Sequence, residues 1–198
     1  MDVSLDPAPA RPVAKGRAIQ RYLMKSKYLA VTLSLSIALC TFEHIAFAAD
    51  ENGLKATSAE KTFIEKAAIG GMTEVNMGKL AAEKGDSKEV KDFGDQMVKD
   101  HSKINDKLKD VAGKMGVEVP AAVDAMHQAK IDRLDKMSGA AFDKAYVKRM
   151  IKAHEMDIAA FERADAELKN EDLKKFIKDS VPTMKDHLEM LRKFSQAK

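Results

Sequence analysis

Three short stretches of the sequence end in the same side chain: MVKDH at Met97–His101, MIKAH at Met150–His154 and TMKDH at Thr183–His187. An imidazole can donate and accept hydrogen bonds, titrate near neutrality or ligate a metal. Two carboxylates, Glu74 and Asp157, fall near the same level once the flanking segments are read as helices. Glu74, His101, His154, Asp157 and His187 are therefore read as one candidate cluster. Two chemistries fit that set. The first is a hydrogen-bonded His–carboxylate network that fixes how helices register, since buried polar groups must be paired. The second is a site for a single transition metal, with neutral imidazoles and one or two carboxylates around Zn, Cu, Fe or Mn.

The neighbours of the three histidines narrow the choice. Val98, Ile151 and Met184 stand three residues before them, so the Glu-x-x-His pattern of a di-iron bundle is missing. Met97, Met150 and Met184 lie about one turn before each imidazole. Thioether sulfur suits copper, and it equally fills gaps in a core. Asp100 and Asp186 each precede a histidine and read either as partners of the rings or as solvated flanks. No Ser–His–Asp spacing, glycine-rich phosphate loop or nucleophile elbow occurs, so no catalytic residue is assigned.

Such a cluster needs helices to hold it. Apolar residues recur at helical spacing from an expected N-cap at Ser58 to Lys84, with Gly85 as the closing residue. Gly70, Gly71 and Gly78 cost helix propensity there, which implies that a neighbouring helix comes close. A second helix begins near Asp86 or Ser87 and carries the seam Val90, Phe93, Met97, His101, Ile104, Leu108, Val111 and Met115 before Gly116. A shorter helix is expected over Ala121–Met137, with Val123, Met126, His127, Ile131 and Leu134 on one face. A third long helix spans about Ala140–Lys169, with its stripe through Tyr146, Met150 and Asp157, so that Asp157 points more centrally than His154. The last spans about Glu171–Ser195, with a kink expected at Pro182. At 1.5 Å per residue, each histidine lies about 15 residues into its helix, so all three share one level. The fold class is all-α: a ferritin-like four-helix bundle with a long helical connection between the second and third long helices.

The N-terminal part reads as export machinery. Lys25 and Lys27 precede an apolar run from Tyr28 to Cys40, and Ala46-Phe47-Ala48 follows as a small-x-small site. This is the layout of a secretory signal peptide over 24–48, cut after Ala48, and the run is too short for a spanning helix. Residues 1–23 read as an upstream extension or a mis-assigned start at Met1 rather than Met24. A polar leader, 49–57, precedes the bundle domain, 58–198. The net charge of +3 resides in the first 48 residues, so Ala49–Lys198 is near neutral and lacks the basic footprint of a nucleic-acid binder. The single cysteine, Cys40, lies in the signal, so the mature chain forms no internal disulfide. No transmembrane segment is expected after residue 48, and the sequence names no partner.

The blocks FIEKAAIGGMTEVNMGKLA, VKDFGDQMVKDHSKINDKL, FDKAYVKRMIKAHEMDIAAFE and LKKFIKDSVPTMKDHL resemble the bacterial family called domain of unknown function 4142. The resemblance runs from about Thr62 to Leu191. It implies an exported ferritin-like bundle, often labelled an outer-membrane or periplasmic protein. Its motif positions fall here on Glu74, Asp100, His101, His127, Tyr146, His154 and His187. No alternating barrel strands accompany the outer-membrane label. The expected function is a periplasmic bundle in a structural or stress-linked interaction role, its polar layer serving register. The alternative is a metal-binding or redox bundle that uses that layer.

Overall fold

A computed structural model describes residues 55–196, which form five helices and no strand. These are α1 (Ser58–Lys84), α2 (Lys88–Lys114), α3 (Ala125–Asp135), α4 (Gly139–Glu167) and α5 (Glu171–Gln196). The expected signal peptide, the segment before it and most of the polar leader lie outside the described residues. No described helix is long and apolar enough to cross a membrane.

Local chemistry sets the helix ends. The α1 cap is Thr57, one residue before the expected Ser58. The Thr57 hydroxyl accepts from Glu60 N, and the Glu60 carboxylate accepts from Thr57 N, a reciprocal box that Ser58 could not make. The Glu60 carboxylate also accepts from Asn170 N, tying the start of α1 to the α4–α5 turn. Gly85 does end α1 as expected, at φ −52° and so outside the left-handed region. A side chain there would press on the Ala81 carbonyl at 2.7 Å, so crowding selects the glycine. Gly116, at φ +65°, is the left-handed residue after α2. The connecting helix is shorter than expected because Asp124, not Ala121, caps it through His127 N. Met126, expected inward, is 59 % exposed on it. Pro182 sits within α5, which continues through it.

α1 and α2 run antiparallel and unusually close. A Cβ on Gly94 would lie 2.5 Å from Ala82 N and 2.6 Å from Gly78 O. Gly71 likewise makes room for the Asn105 side chain, whereas nothing lies within 4 Å of a Cβ on Gly70. Crowding thus explains Gly71 and Gly78, but not Gly70. α1 also carries apolar side chains on the face toward α3: Met77 packs in one cluster with Ile131 and Leu134. α4 and α5 form the other antiparallel pair, laced by Lys185–Glu162 and Arg192–Glu155.

The buried interior divides into two apolar clusters. One gathers Ile64, Leu108, Phe161, Leu173, Phe176 and Ile177; the other gathers Met77, Phe93, Met97, Phe142, Tyr146 and Leu191. Between them along every long helix stands a polar residue: Glu74, His101, His154 and His187, all buried. An all-α bundle with one polar layer across its middle is the architecture that positions the site.

Candidate metal centre

Each imidazole reaches the layer because it occupies an inward position of its own helix. His101 continues the α2 seam, one turn after Met97 and two turns before Leu108. On α4 the buried stripe runs Tyr146, Met150, His154, Ile158, Phe161. His154 is therefore fully buried while Asp157 is half-buried, the reverse of their expected order. The stripe passes one position later, through His154 and Ile158, because α4 turns its His154 face, not its Asp157 face, into the bundle.

The three rings face one another with centroids 5.3 to 5.5 Å apart. His187 Nδ1 stands 3.3 Å from His101 Nε2 and 3.4 Å from His154 Nε2. One nitrogen from each ring lies within 4.8 Å of the others. The remaining nitrogens all point outward to acceptors. His101 Nδ1 meets Glu74 Oε2 at 2.9 Å. His154 Nδ1 meets the Met150 carbonyl at 3.0 Å and Glu74 Oε1 at 3.2 Å. His187 Nε2 meets Asp100 Oδ2 at 3.2 Å. A carbonyl or carboxylate can only accept, so each outer nitrogen is the N–H of its ring. With all three rings neutral, the inner nitrogens are then three lone pairs pointed at one space.

Electrostatics follow from this arrangement. Burial works against the Glu74 charge, but His101 and His154 beside it prevail and hold its carboxyl down at about 2. Burial also opposes a charge on His101; contact with Glu74 outweighs it and raises that imidazole above its usual value. Burial lowers His154, and burial together with the His101 charge takes His187 down to about 4. Of the three rings, His101 therefore takes an extra proton most readily. A proton on its Nε2 would bridge to His187 Nδ1 and leave the His154 Nε2 lone pair unshared.

Of the five residues expected in the cluster, four meet directly. Glu74 holds the outer nitrogens of two rings rather than the inner space. Asp157 stands beside the layer, where burial and the Glu74 charge push its carboxyl up to about 7. It borders, with Glu74, His101 and Asn105, a cavity of about 20 Å³, room for one water. Asn105 Oδ1 is buried there with no hydrogen-bond partner among the described residues, and Glu74 Oε1 has only the ion-pair contact with His154 Nδ1. Asp100 serves as a partner across helices, gripping His187 rather than its neighbour His101, whereas Asp186 is exposed. Tyr146 buries its ring, stacked on Phe142, but its hydroxyl has no hydrogen-bond partner among the described residues. His127 lies away from the layer, bonded to its own cap Asp124.

The chain belongs to the family described as Domain of unknown function (DUF4142), whose model matches residues 46–194. No curated protein matches the sequence. Solved structures share the fold. CopM in the Cu(I)-bound form is 18% identical, with TM-score 0.59 over 69% of this chain and 94% of that one. CopM in the Ag-bound form is 19% identical, with TM-score 0.57 over the same shares, 69% and 94%. A DUF305 fragment from Deinococcus radiodurans is 12% identical, with TM-score 0.62 over 71% of this chain and 97% of that one. Identities this low establish a common helical bundle and nothing about ligands.

Proposed function

We propose that this DUF4142 chain is an exported bundle that binds one soft transition-metal ion, copper(I) foremost, through His101 Nε2, His154 Nε2 and His187 Nδ1. The observation that carries the reading is the convergence of three outward-tied rings on one space. Nitrogens bound to a metal at about 2.0–2.1 Å lie about 3.3–3.6 Å apart for tetrahedral to trigonal angles. The two closest inner separations are 3.3 and 3.4 Å. A proton can join one pair of lone pairs; a cation can satisfy all three.

The donor set favours a monovalent soft ion. Three neutral imidazoles bring no anionic ligand to offset a divalent charge in a buried apolar setting. Met97, Met150 and Met184, all buried one turn from the rings, surround the site with polarizable sulfur. Glu74 and Asp100 act as positioning residues, fixing tautomer and ring orientation from outside. Solved bundles of the same fold in Cu(I)- and Ag-bound forms make these two ions the natural first trials. Cleavage after Ala48 and delivery to the periplasm belong to the same reading, because a copper(I) carrier suits an exported chain.

The test is elemental analysis of untagged protein purified from the bacterial periplasm, with N-terminal sequencing and a copper(I) competition titration. A mature start at Ala49 and about one copper per chain, lost in both His101→Ala and His187→Ala, is the expected result. Metal-free protein whose melting temperature is unmoved by copper(I), zinc, iron(II) or manganese(II) would overturn the reading, since a ligand of the native state must raise it. In that event the layer serves register alone, joining all four long helices through Glu74, His101, His154 and His187.

A further inference from the structure

The stripes that α3 and α4 turn toward α1 are rich in cations. Lys130 and Arg133 come from α3, and Lys148, Arg149 and Lys152 from α4; all five line one groove of about 640 Å³. A groove of this size accommodates a small organic molecule. Five like charges around one hollow repel one another, and the cost rises where solvent is displaced. Burial and the Arg133 charge both disfavour the half-buried Arg149 guanidinium. The fold offers little to offset this. Among the described residues none of the five cations makes an ion pair. The acids of α3 are engaged elsewhere: Asp124 with His127, Asp132 with Gln128 and Asp135 with Lys84. At the floor of the groove Glu74 is committed to His101 and His154, which leaves Asp157 as the one acid facing Lys130.

Arg149 is also held in place. One of its nitrogens donates to the Lys130 carbonyl at 3.2 Å, which anchors the guanidinium across the two helices and leaves its other N–H groups for a guest. The walls are apolar: Met77, Ala153 and Met156, the last 61 % exposed. Exposed Met156 gains a role if something apolar lies against it.

We propose that the groove between α1, α3 and α4 is a binding site for a small organic di- or trianion, a carboxylate or phosphate, gripped by Arg133 and Arg149 with its apolar body on the methionine wall. The groove shares Glu74 at its floor with the metal reading, but the proposal does not rest on that reading: none of the five cations is paired with a histidine of the triad, and the experiment uses metal-free protein.

Isothermal titration at low ionic strength with citrate, pyrophosphate and benzene-1,2,4-tricarboxylate tests it. At least one probe should saturate at one per chain with a dissociation constant below about 1 mM, and weaken as salt is added. Arg133→Gln with Arg149→Gln should weaken that binding at least tenfold, as should Lys148→Gln with Lys152→Gln, both pairs keeping the parent's circular dichroism. Lys107→Gln with Lys109→Gln, on the exposed face of α2, should leave it unchanged. Tighter binding of the aromatic tricarboxylate than of citrate would support the methionine wall. Absence of saturable binding for all three probes, or equal loss in the α2 pair, would overturn the proposal.

Discussion

His187 and Asp100 sit on different helices, and their contact at 3.2 Å decides which nitrogen of His187 faces the other two rings. With Asp100 accepting from Nε2–H, the Nδ1 lone pair is presented to His101 and His154. Asp100→Asn loses that bias, because an amide can donate to Nε2 as readily as accept from it. Copper(I) affinity should then fall by about 10–100-fold, the usual cost of losing a partner that orients a ligand. The metal-free melting temperature should change little, as Asp100 is partly solvated. Competition titration and thermal melts on the same samples separate the two effects.

The two glycine classes on α1 and α2 predict opposite outcomes. Gly94→Ala would drive a methyl group to 2.6 Å from the Gly78 carbonyl and 2.5 Å from Ala82 N, both backbone atoms that cannot swing aside. Separating the two helices to relieve this should cost more than about 2 kcal/mol. Gly70→Ala meets nothing within 4 Å and replaces the weakest helix former after proline with the strongest. It should stabilise by about 0.5–1 kcal/mol. Urea denaturation of both variants measures the contrast.

Much of this was legible in the sequence for a physical reason. Long amphipathic stripes report helices well, so α2 and α5 came within a residue or two of their observed bounds, and the level of the three histidines followed from rise per residue alone. The finer errors share a cause: periodicity locates a face only to within about one residue. That slip put Asp157 inside and His154 on its flank, where packing of α4 on two neighbours reverses them. Cap chemistry moved the starts of α1 and α3, because Thr57 and Asp124 compete with adjacent candidates and only tertiary position chooses. Asp100 read either as a ring partner or as a solvated flank; that it grips His187 across helices, and not its neighbour His101, has no signal in a single sequence. Nor has the groove, whose cations lie on separate helices that read individually as ordinary solvated faces.

Asp157 carries a pH dependence of unusual sign for a carboxylate. Its folded-state value, about 7, stands above the 3.8 of an unperturbed group. The native state therefore favours the neutral acid. Its contribution is fully present below pH 3.8 and is lost as pH rises toward about 7, where ionisation is resisted by burial and by Glu74. Asp157→Asn keeps the shape and removes the penalty. It should be stabilising at pH 8 by roughly 2–4 kcal/mol, with solvent screening allowed for, and near neutral at pH 4. Denaturant midpoints at the two values give the sign; equal effects at both would show that the carboxyl does not titrate there.

Acid destabilisation of the metal-free Asp157→Asn variant should start well above the range of ordinary carboxylates, because the opposing Asp157 contribution is gone. Three groups bind protons more weakly in the folded chain than in the unfolded one. His154 lies below its usual 6.5 and His187 near 4, both first through burial, while Glu74 falls from 4.5 to about 2 under its two imidazole neighbours. The histidines' share is complete above pH 6.5 and erodes as pH falls toward about 4; the Glu74 share, roughly 3 kcal/mol, is complete above 4.5 and lost toward about 2. His101 acts in the opposite sense: its raised value adds stability below 6.5 that disappears as pH rises through it. Asp157 also acts in that opposite sense between about 7 and 3.8, so it offsets part of the histidine loss, whereas the Glu74 loss below 4.5 is unopposed. Glu74→Gln should abolish the lower loss, because no charge remains to be neutralised, while lowering stability at pH 7 by a similar 3 kcal/mol or so. Melting curves from pH 8 to pH 3 on the parent and both variants would separate the two steps; a Glu74→Gln variant that kept the lower one would place its origin elsewhere in the bundle.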